Sequence, residues 1–205
     1  MKTLYTGVVC PNPDFIHTPL IEIKPLEDDT PLRKAVSSLQ DYDYLLFTSR
    51  FAVKYWSMAG GGFDVANLVS IGKTTTAALT GLGVDFKKIH QPDRDDSYGV
   101  IEWFSGQNTG SVLIPRSDIA LPIIPDGLRR LGFKTDTVTA YLNRIPDSPT
   151  KADLASIDRI IFTSPSTVDN FIKLYGSIPQ HVTIETRGIV TQKRLDEISR
   201  SKNIS

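Results

Sequence analysis

Residues 44–56, YLLFTSRFAVKYW, have a counterpart at residues 159–171, RIIFTSPSTVDNF. In each, a short apolar run ends at Phe-Thr-Ser and gives way to helical spacing. A strand that feeds directly into a helix is the building unit of a parallel sheet, because parallel strands need a crossover connection and a helix usually provides it. The repeat extends further. VSIGKTTTAALTGLG (69–83) follows the first copy at nearly the spacing at which IETRGIVTQKRLDEI (184–198) follows the second. Two related α/β units are the simplest account.

The rest of the chain fits that pattern. LYTGVV, DYLLFTS, NLVSIG, SVLIPRS, TDTVTAYL, RIIFTS and HVTIET read as strands. Between them RFAVKYWSMAG, TTTAALTGLG, SYGVIEWFSGQ, ALPIIPDGLRRLG, STVDNFIKLYG and TQKRLDEISRS carry helical spacing, several ending at glycine. The expected class is α/β with parallel sheets, in 205 residues that suffice for one large domain or two small ones.

Charge and composition exclude several functions. The 23 basic and 23 acidic residues cancel, so no surplus marks a nucleic-acid or membrane-surface protein, although a small polyanionic substrate fits local charge. One cysteine excludes an internal disulfide framework, and Cys10 reads as a small buried hydrophobe. His17, His90 and His181 are scattered, so no metal site is expected. The start MKTLYTGVVCPNPD lacks a signal-peptide core, and no run reaches the roughly 18 apolar residues of a membrane span, so a cytoplasmic location is expected.

Each strand-to-helix junction is a place where open α/β sheets bind ligands, and the first N–H groups of a helix favour an anion. Thr48, Ser49, Thr74, Thr75, Ser164, Ser166 and Thr191 stand at such junctions. Familiar phosphate motifs are absent. NLVSIGKTT ends in Gly-Lys-Thr, but Asn67 occupies the place of the first P-loop glycine. AGGGFDVANL lacks the dinucleotide spacing and follows a helix, so it reads as a helix-ending loop. No G-x-S-x-G elbow or serine–histidine–acid set suggests hydrolysis.

An ordered set of weak motifs is more informative: PLIEIKPL, LLFTSRFAV, SIGKTTTAAL with LG, DSYGV, VLIPRSD, LRRLGFKTDTVTAYLN and IIFTSPSTVDNF. Over roughly residues 17–175 the chain resembles the uroporphyrinogen-III synthase family. The resemblance implies two Rossmann/flavodoxin-like parallel-sheet domains joined by a two-stranded linker, with a cleft between them and hinge motion around a substrate. It assigns 1–17 with 146–205 to a discontinuous terminal domain, 27–136 to an inserted domain, and 18–26 with 137–145 to linker strands. The terminal domain departs from the family pattern. VVCPNPDFIH leaves no room for the usual first helix, ETRGIVTQKRL replaces an Ile-Gly-Pro-Thr-Thr type turn, and a last strand is not evident.

The implied reaction cyclises hydroxymethylbilane to uroporphyrinogen III with inversion of ring D and loss of water, without a cofactor. The reactivity lies in the substrate, so the protein folds it, assists hydroxyl departure and excludes the uninverted closure. The resemblance implies Tyr141 as the group beside the departing hydroxyl. It implies substrate carboxylates held by Thr48, Ser49, Arg50, Gly72, Lys73, Thr74, Thr75, Ser97, Tyr98, Arg116, Ser164, Ser166 and Thr191. Lys87, Lys88, Arg129 and Arg130 read as solvated faces. The resemblance further implies a monomer with at most a transient contact with hydroxymethylbilane synthase. Two other functions suit such an architecture: a non-catalytic two-domain binder of a small anion, and a Rossmann-like transferase.

Overall fold

The computed structural model describes residues 1–202, so the last three residues of the expected segment 146–205 lie outside it. In chain order the strands are β1 (Thr3–Tyr5), β2 (Ile16–His17), β3 (Glu22–Lys24), β4 (Tyr44–Phe47), β5 (Asn67–Ser70), β6 (Ile89–His90), β7 (Ser111–Ser117), β8 (Lys134–Arg144), β9 (Arg159–Phe162) and β10 (Thr183–Thr186). The helices are α1 (Thr30–Ser37), α2 (Arg50–Met58), α3 (Lys73–Thr80), α4 (Ser97–Ser105), α5 (Ile123–Arg130), α6 (Pro165–Tyr175) and α7 (Ile189–Lys202). The expected strands and helices are all present, most of them shorter than the sequence runs. Additions are α1, which buries only Leu32, and the two-residue strands β2 and β6, too short for a periodicity to register.

The chain divides into two compact units, Met1–Ile23 with Arg144–Ser205, and Lys24–Asn143. The longer unit holds, in the order β8-β7-β4-β5-β6, five strands of a six-stranded sheet whose sixth strand, β3, straddles the division at Ile23. Its pairs β4–β5, β5–β6, β4–β7 and β7–β8 are all parallel. Every side chain of β4 is buried, as a central parallel strand covered on both faces requires. Tyr44 and Leu46 pack with Phe104, Leu128 and Phe133, whereas Phe47 meets Trp56 of α2 edge-on at 6.1 Å. The glycine-rich loop after α2 serves packing. A Cβ on Gly61 would lie 2.3 Å from Trp56 Nε1, and that indole N–H donates to the Gly62 carbonyl at 2.8 Å.

The smaller unit has a four-stranded sheet of order β10-β9-β1-β2, again parallel throughout. Its core joins Leu4, Ile160, Phe162, Val168, Phe171 and Leu195. Asn170, nearly buried on α6, donates to the Leu20 carbonyl at 2.8 Å and fixes the extended chain beyond β2. No helix lies between β1 and β2. A loop makes the crossover, and within it Cys10 is half-buried, not fully buried as expected, with its thiol donating to the Asn12 carbonyl at 3.1 Å.

Strand order places the functional ground. In the longer unit successive strands build outward in opposite directions from the β4–β7 pair, so the topological switch point lies at the C-terminal ends of those two strands. In the smaller unit it lies between β1 and β9.

Candidate active site

At the β4–β7 switch point, β4 gives way through Thr48 to Ser49, which caps α2. The Ser49 hydroxyl accepts from the Phe51 N–H at 3.1 Å, an ordinary N-cap bond, and also from the Tyr141 phenol at 3.2 Å. Tyr141 reaches it because of an irregularity in β8. Arg116 pairs with Thr139, but Ser117 pairs with Tyr141, so Ala140 is an extra residue. Such a bulge re-aims the side chains beyond it. Thr137 and Thr139 line a cavity beside α5. Tyr141, which strict alternation would place on their side, instead stacks on Tyr55 of α2 at 5.9 Å and tilts against Phe51 at 6.0 Å.

Tyr141 is 6% exposed. Burial, the dominant influence, raises the phenol above its ordinary value; the hydrogen bond with Ser49 and the neighbouring Ser117 hydroxyl oppose that shift. The group therefore stays protonated as a donor at neutral pH. Arg50 lies 4.9 Å over the Phe51 ring and Lys54 5.5 Å over the Tyr55 ring, so the aromatic cluster carries two cations at its edge.

The other expected positions fall into separate places. Gly72 caps α3, where a Cβ would lie 2.4 Å from Asp95 Cγ, and the Asp95 carboxylate accepts from the Lys73 N–H at 3.3 Å. An internal carboxylate thus already stands at this helix start. Lys73 and Thr74 are exposed, while Thr75 is turned inward at 3% exposure. At α4, Asp96 accepts from Tyr98 N–H at 2.9 Å and Gly99 N–H at 2.8 Å, so the backbone donors beside Ser97 and Tyr98 are engaged. Arg116 donates through Nη2 to the carbonyls of Ala120 and Leu121, holding the turn between β7 and α5.

In the smaller unit Ser164 caps α6. Its hydroxyl lies 2.9 Å from that of Ser166, and Thr167 Oγ1 accepts from the Ser164 N–H at 3.2 Å. Sequence reasoning missed the neighbour of this junction. A Cβ on Gly7, after β1, would meet Thr163 Cγ2 at 2.8 Å, so only glycine lets the two strand ends lie this close. Thr191, in contrast, is 2% exposed and donates to the Arg187 carbonyl at 3.2 Å, back to the turn before α7. Among the described residues no cluster of metal-ligating side chains occurs and no helix is long and apolar enough to cross a membrane.

These features define a class: two-unit parallel α/β proteins whose polar and aromatic side chains collect where strands end at a switch point. Residues 14–203 match the family model for uroporphyrinogen-III synthase HemD. The chain belongs to the uroporphyrinogen-III synthase family. It is 25% identical over 202 residues to a putative uroporphyrinogen-III synthase of Methanothermobacter thermautotrophicus, covering 87% of this chain and 78% of that one. It is 29% identical over 178 residues to the porphyrin biosynthesis protein HemD of Ruminiclostridium josui, covering 80% of this chain but 35% of that protein. Crystal structures of uroporphyrinogen III synthase from Thermus thermophilus (a mutant, TM-score 0.68, 16% identity) and Helicobacter pylori (TM-score 0.59, 18% identity) share the fold over 97% of this chain and 89% of theirs.

Proposed function

We propose that this chain is a uroporphyrinogen-III synthase that closes hydroxymethylbilane with inversion of the last pyrrole and loss of water. The family match supports the reading, and Tyr141 is the observation that carries it to chemistry. The substrate hydroxyl leaves as water when it accepts a proton, and a phenol held neutral by burial is a donor suited to that departure. The azafulvene left behind is attacked by the substituted carbon of the far pyrrole. The resulting spiro intermediate fragments and recloses inverted, and a final proton loss, which returns to Tyr141 the proton it gave, restores the aromatic ring. Each step uses the substrate's own electrons, so the protein's work is placement and a single proton donation.

Carboxylate arms of the substrate are held by the hydroxyls of Ser49, Ser164 and Ser166, with Arg50 as a cation near the ring cluster. The reaction needs no added cofactor, and the protein acts as a cytoplasmic monomer that receives its labile substrate from hydroxymethylbilane synthase. The test is to add the purified chain to fresh hydroxymethylbilane, oxidise the products and separate the type I and III uroporphyrin isomers. Predominant type III is expected. Only type I, the spontaneous product, overturns the reading in favour of an anion-binding protein.

A further inference from the structure

A cavity of about 270 Å³ opens in the longer unit between the end of β7, the start of α5 and β8. Its lining is mostly polar: Arg116 and Arg129, the hydroxyl residues Ser117, Thr137 and Thr139, and Asp118, with Pro122 and Pro125 beside them. The two cations are held differently. Arg129 pairs with Asp126 at 3.3 Å on an exposed face and donates to the Thr135 carbonyl at 3.0 Å, which aims it along β8. Arg116 forms no ion pair among the described residues. Both of its bonds leave from Nη2, to the Ala120 and Leu121 carbonyls, so Nη1 and Nε remain as donors.

Arg116 is partly buried, and that burial is the main cause of its lowered proton affinity. Guanidinium nevertheless stays charged, with the Asp126 carboxylate as an electrostatic neighbour that favours its charge, so a half-buried cation without a direct ion pair faces a row of hydroxyl residues. Ser117, on the cavity wall, pairs in the sheet with Tyr141. The apolar part of the lining is Pro122 and Pro125, at the start of α5.

We infer that this cavity is a carboxylate subsite that takes one acid arm of a pyrrole ring, with Arg116 and Arg129 on the carboxylate and the ring against Pro122 and Pro125. The volume lies below the roughly 300–1,000 Å³ of pockets that enclose a whole ligand, so it suits a substituent and not an entire linear tetrapyrrole. The identity of the ring rests on the synthase reading. The preference for a carboxylate does not, and it is measured without turnover.

The experiment follows the threonine methyl signals of the full chain by NMR while sodium propionate is added, with propanamide as the neutral control. Propionate shifts the Thr137 and Thr139 methyls in the millimolar range, as befits a fragment of about five non-hydrogen atoms. Propanamide leaves them in place, and added chloride weakens the effect. Arg129→Gln, whose exposed side chain leaves the fold intact, weakens binding about tenfold; Arg116→Lys, which retains a donor for the turn, weakens it similarly. Equal shifts from propionate and propanamide overturn the assignment, as do shifts confined to other threonines or binding unchanged in Arg129→Gln. If propionate binds as described and the chain forms only type I isomer, the subsite stands and the synthase reading falls.

Discussion

Replacing Tyr141 by phenylalanine removes one hydroxyl from a side chain that is 6% exposed and leaves both ring contacts with Phe51 and Tyr55 in place. Ser49 keeps the Phe51 N–H as a partner, so no capping group is stranded. The folding cost is therefore that of one neutral hydrogen bond, about 1 kcal/mol. For a unit of this size that lowers Tm by about 3–6 °C. The catalytic cost is larger. A positioned proton donor contributes about 10²–10⁴-fold, and the low end applies because the phenol shares its proton with Ser49. Type III formation should fall about 100-fold, or about 2.7 kcal/mol in barrier, while spontaneous closure to type I continues. The assay is isomer-resolved chromatography of timed quenches, beside a melting curve of the same preparation. A type III rate within twofold of wild type would make Tyr141 a packing residue and refute the reasoning. Tyr141→Ala separates the effects further, because loss of the ring adds a core cavity worth about 3–5 kcal/mol.

Three further outcomes follow from the geometry. Burial raises the Tyr141, Tyr42 and Tyr44 phenols, so the folded state retains protons that the unfolded state loses near pH 10. Stability is then full below about pH 10 and declines above it, and urea midpoints from pH 8 to 11 should show a shallower alkaline decline in Tyr141→Phe; an unchanged slope contradicts this. Asn170→Ala strands the buried Leu20 carbonyl, and its urea midpoint should report a loss of about 1–3 kcal/mol; a loss below about 0.5 means the carbonyl finds another donor. Asp95→Asn removes the charge that stands at the start of α3, so KM for hydroxymethylbilane should fall several-fold with kcat kept; a raised KM would mean that Asp95 orders this helix start instead of competing for it.

Features carried by local pattern were legible in the sequence, and features carried by distant contacts were not. The strand-to-helix junctions after Phe47 and Phe162 could be read because an apolar run followed by a capping Thr-Ser pair is a property of adjacent residues. The occupants of two helix starts escaped notice. Asp95 lies 22 residues from Lys73, and a carboxylate in a loop gives no sign of which N–H it will meet. Arg129 reads as solvent-facing by helical spacing and is indeed largely exposed, yet its guanidinium reaches back to the Thr135 carbonyl at the cavity. The extra residue at Ala140 leaves no trace in the alternation of TVTAYLN, although it decides which face Tyr141 occupies. Tyr141 itself was found through family resemblance, since nothing local distinguishes it from other aromatic residues on strands.

The loop that carries the chain from β1 to β2 without a helix has a consequence for the order of events during synthesis. These two strands amount to three and two residues, and the other neighbour of β1 is β9, whose Ile160, paired with Leu4, follows the longer unit in the sequence. Until Arg159–Phe162 leaves the ribosome, this ribbon has almost no surface to bury. Residues 24–143 are contiguous and contain the five strands β8-β7-β4-β5-β6 with their own core, so they are able to fold first. Once they have, the entropy of bringing Leu4 to Ile160 is much reduced, because the intervening chain is a compact body and no longer a long flexible loop. Destabilising substitutions in the longer unit should therefore delay completion of the smaller one, even where they touch none of its residues.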